Sequence, residues 1–232
     1  MNKISVITVC FNAEKTIEKT IKSVIEQDYS EIEYIIIDGR STDKTLEIIE
    51  GYSKKISLII SEPDEGIFDA MNKGILHASG EVLYFLNADD YFFDKNVVSI
   101  VMKEFQNNLS ITLLYATVHR INIPPKRVAK GISPTNRPVS TPYDMFAYGI
   151  CHQGLFATKL VFEAVGKFNL KYKLTADTDW VVRAHKSGFR ISNLKAPVAY
   201  YNFTGVSNVY IRKRKIEKWS IFLKNFSGME LL

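Results

Sequence analysis

Residues 82–90 read Val82-Leu83-Tyr84-Phe85-Leu86-Asn87-Ala88-Asp89-Asp90. A short apolar run bounded by polar residues predicts a strand covered on both faces, with a polar turn at its carboxyl end. The same phrase occurs three times upstream. Ile4-Ser5-Val6-Ile7-Thr8-Val9-Cys10 is β-branched and stops at Asn12; Tyr34-Ile35-Ile36-Ile37 runs into Asp38-Gly39; Ser57-Leu58-Ile59-Ile60 is followed by Asp64. Between them lie helical spacings: Ile17, Ile21, Val24 and Ile25, then Leu46, Ile48 and Ile49 after a turn at 38–43 that offers an N-cap, then Ile67, Met71 and Ile75. This β-α-β-α-β-α-β order predicts an α/β fold, a mostly parallel central sheet with helices on both faces. Ligands in such sheets bind beyond the carboxyl ends of the strands. Asn12, Asp38, Asp64 and Asp89 all lie just past strand ends, so the sheet should gather them along one edge.

The second half is less regular. Helices are expected near Val97 to Phe105, Leu160 to Val165 and Asp177 to Ser187, and strands near Ile111 to Val118 and Val198 to Tyr201. Residues 122–143 hold five of the seven prolines together with Lys126, Arg127 and Lys130, which predicts an exposed, mobile loop.

The whole chain has 232 residues, 46% hydrophobic and 24% charged, with two cysteines and a net charge of +5. That length buries about 70% of the unfolded surface in one core without staples. Cys10 and Cys151 do not make a disulfide scaffold and fit a reducing, cytoplasmic setting. The start lacks the apolar region and cleavage site of a signal peptide, and no uninterrupted apolar run reaches the ~18 residues of a membrane span. Arg212, Lys213, Arg214, Lys215 and Lys218 account for the whole positive excess. The chain therefore carries one basic patch and is not a nucleic-acid-binding body.

Several residues have the chemistry of a site. Adjacent carboxylates at Asp89 and Asp90 are costly unless solvated, paired or bound to a cation, and a hard divalent ion on a diphosphate takes one or two such ligands; Asp is equally a turn former. Asp38 either accepts from a ribose hydroxyl or base N–H, or caps its turn. In Asp64-Glu65-Gly66-Ile67-Phe68-Asp69-Ala70-Met71-Asn72-Lys73, Gly66 permits close backbone approach, and the following helix could turn its first amides toward phosphate. Asp69, Asn72 and Lys73 are expected on the polar side of that helix, opposite Ile67, Met71 and Ile75. Asp177 and Asp179 open another helix, where either serves the helix dipole or acts as a general base. His152-Gln153 follows Gly149-Ile150-Cys151. Neither G-x-G-x-x-G after the first strand nor G-x-x-x-x-G-K-[ST] occurs, which argues against dehydrogenase and P-loop folds.

In order along the chain, Ser5-Val6-Ile7-Thr8-Val9-Cys10-Phe11-Asn12, Ile37-Asp38-Gly39-Arg40-Ser41-Thr42-Asp43, Asp69-Ala70-Met71-Asn72-Lys73-Gly74, Gly80-Glu81 and Phe85-Leu86-Asn87-Ala88-Asp89-Asp90 resemble the family 2 inverting glycosyltransferases of GT-A fold. The likeness continues more loosely through His152-Gln153, Ala176-Asp177 and Gly205-Val206-Ser207. It implies a GT-A, Rossmann-like domain over 1–207, with a nucleotide-sugar half at 1–100 and an acceptor half at 101–207, followed by a basic amphipathic C-terminal helix at 208–232. It implies an enzyme that moves a sugar from a UDP- or GDP-type donor to a hydroxyl of a glycan or lipid-linked acceptor, in surface polysaccharide or lipid-linked glycan synthesis. Val9, Asn12, Asp38, Asp64, Gly66, Asn72, Asn87 and Asp89 would bind the donor. Asp89, with Asp90, would hold Mg²⁺ or Mn²⁺. Asp177 would be the catalytic base, and His152, Gln153 and Asp179 would meet the acceptor. Asn87 stands where the family's D-x-D motif has its first acid, and Ala176 where Glu usually precedes the base. These two departures support a rival reading, a catalytically silent sugar-nucleotide-binding module.

Val209, Ile216, Trp219, Leu223 and Phe226 form one apolar stripe beside the basic patch. Such a helix either docks its stripe on the core or lies on an anionic membrane surface, placing the protein at the inner face of the plasma membrane.

Overall fold

The computed structural model describes residues 1–122, 139–148, 150–203 and 209–226. The elements run β1 (Ile4–Cys10), α1 (Ile17–Ile25), β2 (Ile32–Asp38), α2 (Thr45–Glu50), β3 (Leu58–Ser61), α3 (Ile67–His77), β4 (Val82–Phe85), β5 (Tyr91–Phe92), α4 (Val97–Asn107), β6 (Leu113–Ile121), α5 (Pro142–Tyr148), β7 (Leu155–Thr158), α6 (Lys159–Val165), α7 (Ala176–Lys186), β8 (Ile191–Asn202) and α8 (Ile211–Asn225). The strands form one sheet in the order β3-β2-β1-β4-β7-β6-β8-β5.

Alternation of side chains along the strands divides the interior into two cores. Ile7, Val9, Ile35, Ile37, Leu83 and Phe85 point to one face, where α3, α6, α7 and α8 add Met71, Phe162, Trp180 and Phe222. Ile4, Val6, Tyr34, Ile36, Val82 and Tyr84 point to the other, against Ile21 of α1, Ile49 of α2 and Met102 of α4. Both faces of β1 are covered, and so the run is apolar at nearly every position. Gly74 lets α3 lie close over the sheet: a Cβ there would fall 2.5 Å from Ile7 Cγ2.

The expectation of parallel strands holds for β1 to β4, whose registers pair Cys10 with Asp38, Asp38 with Ser61 and Ile7 with Phe85. Beyond β4 the sheet is mixed. β7 is antiparallel to both β4 and β6, β5 is antiparallel to β8, and β6 and β8 are parallel. β7 runs straight into α6, and that apolar continuity hides the strand in the sequence.

Pro142, expected within the irregular stretch, instead opens α5, where a proline's missing N–H is harmless. Residues 123–138 of that stretch, and Gly205-Val206-Ser207, lie outside the described residues. In α8 the docking face differs from the expected stripe. Ile221, Phe222 and Phe226 are buried, while Ile216 and Leu223 are each 69% exposed and Trp219 is half-exposed against the Phe146 ring. Among the described residues no helix is long and apolar enough to cross a membrane.

Candidate active site

A cavity of about 1240 Å³ opens at the carboxyl ends of β1 and β4. Its walls come from the β1–α1 turn, the residues ahead of α3, the turn after β4, the end of β6, the 150–153 segment, the start of α7 and α8.

One side is built from strand-end loops. Val9 lines the cavity from inside the sheet, and Asn12 stands beyond it at φ +49°. The Asn12 side chain accepts from Thr42 N–H (2.9 Å) while its own N–H donates to Ser41 Oγ (2.8 Å), which fixes the turn. The neighbouring Phe11 ring is 61% exposed at the cavity. Asp64 accepts from Gly66 N–H at 2.8 Å, and Gly66, at φ +118°, turns the chain into α3. Asn87 and Asp89 line the cavity just past β4. Asn87 Oδ1 is buried with no hydrogen-bond partner among the described residues. Burial pushes the Asp89 carboxyl up, opposed by its own N–H, by His152 and by Asn202.

The other side centres on Asp177, in the first turn of α7. His152 Nδ1 lies 3.4 Å from Asp177 Oδ2, and Asp177 Oδ1 accepts from Thr178 N–H at 2.7 Å. The approach to Asp177 is held by Glu217 of α8, whose carboxylate accepts from Lys173 N–H (3.2 Å), Leu174 N–H (2.9 Å) and Thr175 Oγ1 (3.0 Å).

Five of the expected site residues have other employment. Asp38 is fully buried and does not line the cavity; its carboxylate accepts from Ser41 N–H and both the Ser41 and Ser61 hydroxyls, tying β2 to its own turn and to β3. Asn72 is buried rather than on a polar helix side, exchanging two hydrogen bonds with the backbone of Phe168 (2.8 and 2.9 Å). Ile67, expected on the buried side, is 39% exposed, and Phe68 packs inward instead. Asp90 corrects the two-carboxylate expectation. It is buried outside the cavity lining, and its oxygens accept from Gln153 Nε2 (2.6 Å) and Asn202 N–H (2.8 Å). Burial, then the Asp89 charge, pushes its carboxyl well up. Gln153 lines the cavity, but its amide is spent between Asp90 and Cys151 Sγ. Asp179 is buried in an ion pair with Arg183 at 2.8 Å, away from the cavity.

The sequence reading missed Arg120, Glu217 and the inward-facing cations of α8. Glu217 was signalled, as the single acid within 212–218. Arg120 was not, because it sits near the end of a long strand among unremarkable polar residues. Lys213, Arg214, Lys215 and Lys218 line the cavity, so the basic patch is in large part a wall of the site.

Among the described residues no group of three or more His, Cys, Asp or Glu side chains is placed to hold a metal ion. A protein-only cage is thereby absent from that part of the chain. Asp89 and Asn87 instead stand together in the cavity lining, and Asn87 Oδ1 has no hydrogen-bond partner among the described residues. This fits a hard divalent cation that takes its remaining ligands from phosphate and water.

The mixed sheet with its strand-end cavity is the fold of the GT-A glycosyltransferases, which the solved neighbours below share. The family model described as Glycosyl transferase family 2 matches residues 5–160. The chain belongs to that family and is a glycosyltransferase. It is 27% identical over 223 residues to a PGL/p-HBAD biosynthesis glycosyltransferase of Mycobacterium bovis, spanning 92% of this chain and 82% of that one. Among solved structures, residues 1–349 of S. aureus TarS in complex with UDP-GlcNAc superpose with a TM-score of 0.72 at 22% identity, over 86% of this chain and 58% of that one. The mannosyltransferase PcManGT of Pyrobaculum calidifontis, in complex with GDP-Man and Mn²⁺, superposes with a TM-score of 0.71 at 17% identity, over 97% of this chain and 65% of that one. The chain thus spans less than two thirds of either solved neighbour.

Proposed function

We propose that the chain transfers a sugar from a nucleotide-diphospho-sugar to an acceptor hydroxyl with inversion at the anomeric carbon, in surface polysaccharide or lipid-linked glycan synthesis. The observation that carries this reading is that Asp177 and Asp89 line one cavity at the strand ends. UDP-GlcNAc and GDP-Man in the two solved neighbours support a donor of this class. The β1–α1 turn, Asp64, Gly66 and Asn87 hold the nucleotide, with the 1–100 half serving the donor and the 101–207 half the acceptor.

Asp177 takes the acceptor proton on its carboxylate as that oxygen attacks the anomeric carbon. The bond from that carbon to the diphosphate breaks on the opposite side, and its electron pair leaves on the phosphate oxygen. A carboxylate is a weak base, so it contributes by position, about 10²–10⁴-fold. His152 holds it: an acceptor-only carboxylate beside Nδ1 selects the ring form with a proton there. Asp89 and Asn87 would hold Mg²⁺ or Mn²⁺, which supplies positive charge to the leaving diphosphate when bound. The exposed Ile216 and Leu223 of α8, beside Arg212, support a peripheral position at the inner, cytoplasmic face of a membrane.

Release of nucleoside diphosphate from a panel of UDP- and GDP-sugars, with and without Mn²⁺, tests the reading. Acceptor-dependent release that needs the metal is expected. Binding without any turnover, acceptor present, would instead identify a silent binding module.

A further inference from the structure

The cavity exceeds the ~300–1,000 Å³ of ordinary small-molecule sites, and two cations of its lining come from separate elements. Arg120 comes from the end of β6 and Lys218 from the middle of α8, nearly a hundred residues on. Among the described residues neither forms an ion pair. Arg120 Nε is buried with no hydrogen-bond partner among the described residues, its guanidinium 5.6 Å over the Phe203 ring. The Lys218 ammonium lies 5.5 Å from the Phe146 ring, on the same helix face as Arg214 one turn earlier. Buried polar atoms are rarely left unpaired unless a ligand completes them. Burial, and next the Arg214 charge, lower the Lys218 ammonium to about 8, with Asp177 acting in the opposite sense. Lys218 follows Glu217, whose carboxylate holds Lys173, Leu174 and Thr175 just ahead of Asp177, so this cation enters the cavity from the element that anchors the approach to the proposed base.

We propose that Arg120 and Lys218 form an anion subsite for a phosphate group carried by the acceptor, next to the hydroxyl that Asp177 deprotonates. The assignment rests on the donor reading above and deepens it by naming the acceptor's chemistry. A guanidinium and an ammonium approaching from separate elements suit phosphate oxygens, the guanidinium with paired N–H donors and the ammonium as a point charge. The phosphate belongs either to a soluble glycan or to a lipid headgroup, and the test separates these.

The full chain, loaded with saturating UDP or GDP, is titrated calorimetrically with inorganic phosphate and with glycerol 3-phosphate. In parallel it is sedimented with phosphatidylcholine vesicles with and without phosphatidic acid. Phosphate or glycerol 3-phosphate should bind the nucleotide-loaded chain. Lys218→Met and Arg120→Gln should each weaken that binding about tenfold or more, without a matching loss of nucleotide affinity. Lys218→Arg and Arg120→Lys should retain most of it, which separates lost charge from lost folding. Affinity for glycerol 3-phosphate, with any vesicle binding indifferent to Arg120 and Lys218, assigns the phosphate to a glycan. Vesicle binding that needs phosphatidic acid, Arg120 and Lys218 assigns it to a lipid. Nucleotide that displaces phosphate, or variants that lose both ligands equally, would give these cations to the donor and overturn the subsite. Nucleotide binding with no phosphate affinity at millimolar concentration would overturn the subsite alone. If neither UDP nor GDP binds, the donor reading fails and the acceptor assignment falls with it.

Discussion

His152 Nδ1 sits 3.4 Å from Asp177 Oδ2, and the other ring nitrogen, Nε2, is buried with no hydrogen-bond partner among the described residues. The 150–153 segment and the start of α7 thus present one carboxylate–imidazole pair at the cavity. Asp177→Asn keeps the shape and removes the basic oxygen. Transfer should fall by about 10²–10⁴-fold, while nucleoside diphosphate affinity, read by calorimetry, stays near that of the unaltered chain. Wild-type turnover in this variant would remove Asp177 from the mechanism.

Asn87 and Asp89 bear on the metal. Asn87→Asp places a second carboxylate where an unpartnered amide oxygen now lies. Cation affinity rises with the charge of the ligand set, so the Mn²⁺ concentration for half-maximal activity should drop roughly tenfold. Asp89→Asn should raise it beyond reach or abolish activity. An activity profile against Mn²⁺ that neither substitution moves would place the cation, or the need for one, elsewhere.

The sequence was most legible where one residue type has one physical use. The apolar runs of β1, β2 and β4 and the helical spacings of α1 and α3 reflect burial on fixed faces, and their bounds were readable to within a residue or two. Carboxylates were less legible, because solvated, paired and catalytic acids look alike in one dimension. Asp38 and Asp90 carry the right spacing but are consumed by Ser41, Ser61, Gln153 and Asn202. Asp177 and Asp179 differ by two positions on one helix, and only the ion pair with Arg183 distinguishes the buried one from the one at the cavity. Arg120 was illegible because its importance comes from what β8, α7 and α8 place around it.

Glu33 links acid tolerance to the sheet. Its carboxylate accepts from the Ser5 hydroxyl (2.6 Å), Ser79 N–H (2.7 Å) and Lys3 Nζ (3.0 Å), joining β2 to β1 and to the turn ahead of β4. Burial acts to raise this carboxyl and is the largest single influence, yet the hydrogen bonds from Ser5 and Ser79 outweigh it and bring the group down to about 2. An unfolded glutamate titrates near ~4.3. Between those values the unfolded chain binds more protons, so the contribution is full above pH ~4 and is lost as pH falls toward 2. Glu33→Gln should lower stability by about 1–3 kcal/mol at neutral pH. It should also flatten the acid limb of a Tm-against-pH curve. An unchanged acid limb would mean that Glu33 contributes nothing specific there.

The two sides of α8 make separable predictions. Ile221, Phe222 and Phe226 hold the helix on the core, Lys218 lines the cavity, and Glu217 binds residues 173–175 ahead of Asp177. Ile216 and Leu223 lie one heptad apart, each 69% exposed, with Arg212 and Lys224 also exposed. None of these last four lines the cavity. A helix that spends its core-facing apolar residues on docking and still exposes two more beside cations has the makeup of a membrane-surface element. The chain should co-sediment with phosphatidylglycerol vesicles but only weakly with phosphatidylcholine, and added salt should reduce binding. Ile216→Ser with Leu223→Ser should cut the bound fraction several-fold, as should Arg212→Glu with Lys224→Glu. Because none of these positions lines the cavity, turnover on a water-soluble acceptor should not follow the loss of binding. Sedimentation unchanged by both pairs would mean that this face meets water only, and that any approach to a lipid-linked acceptor is made by another part of the protein.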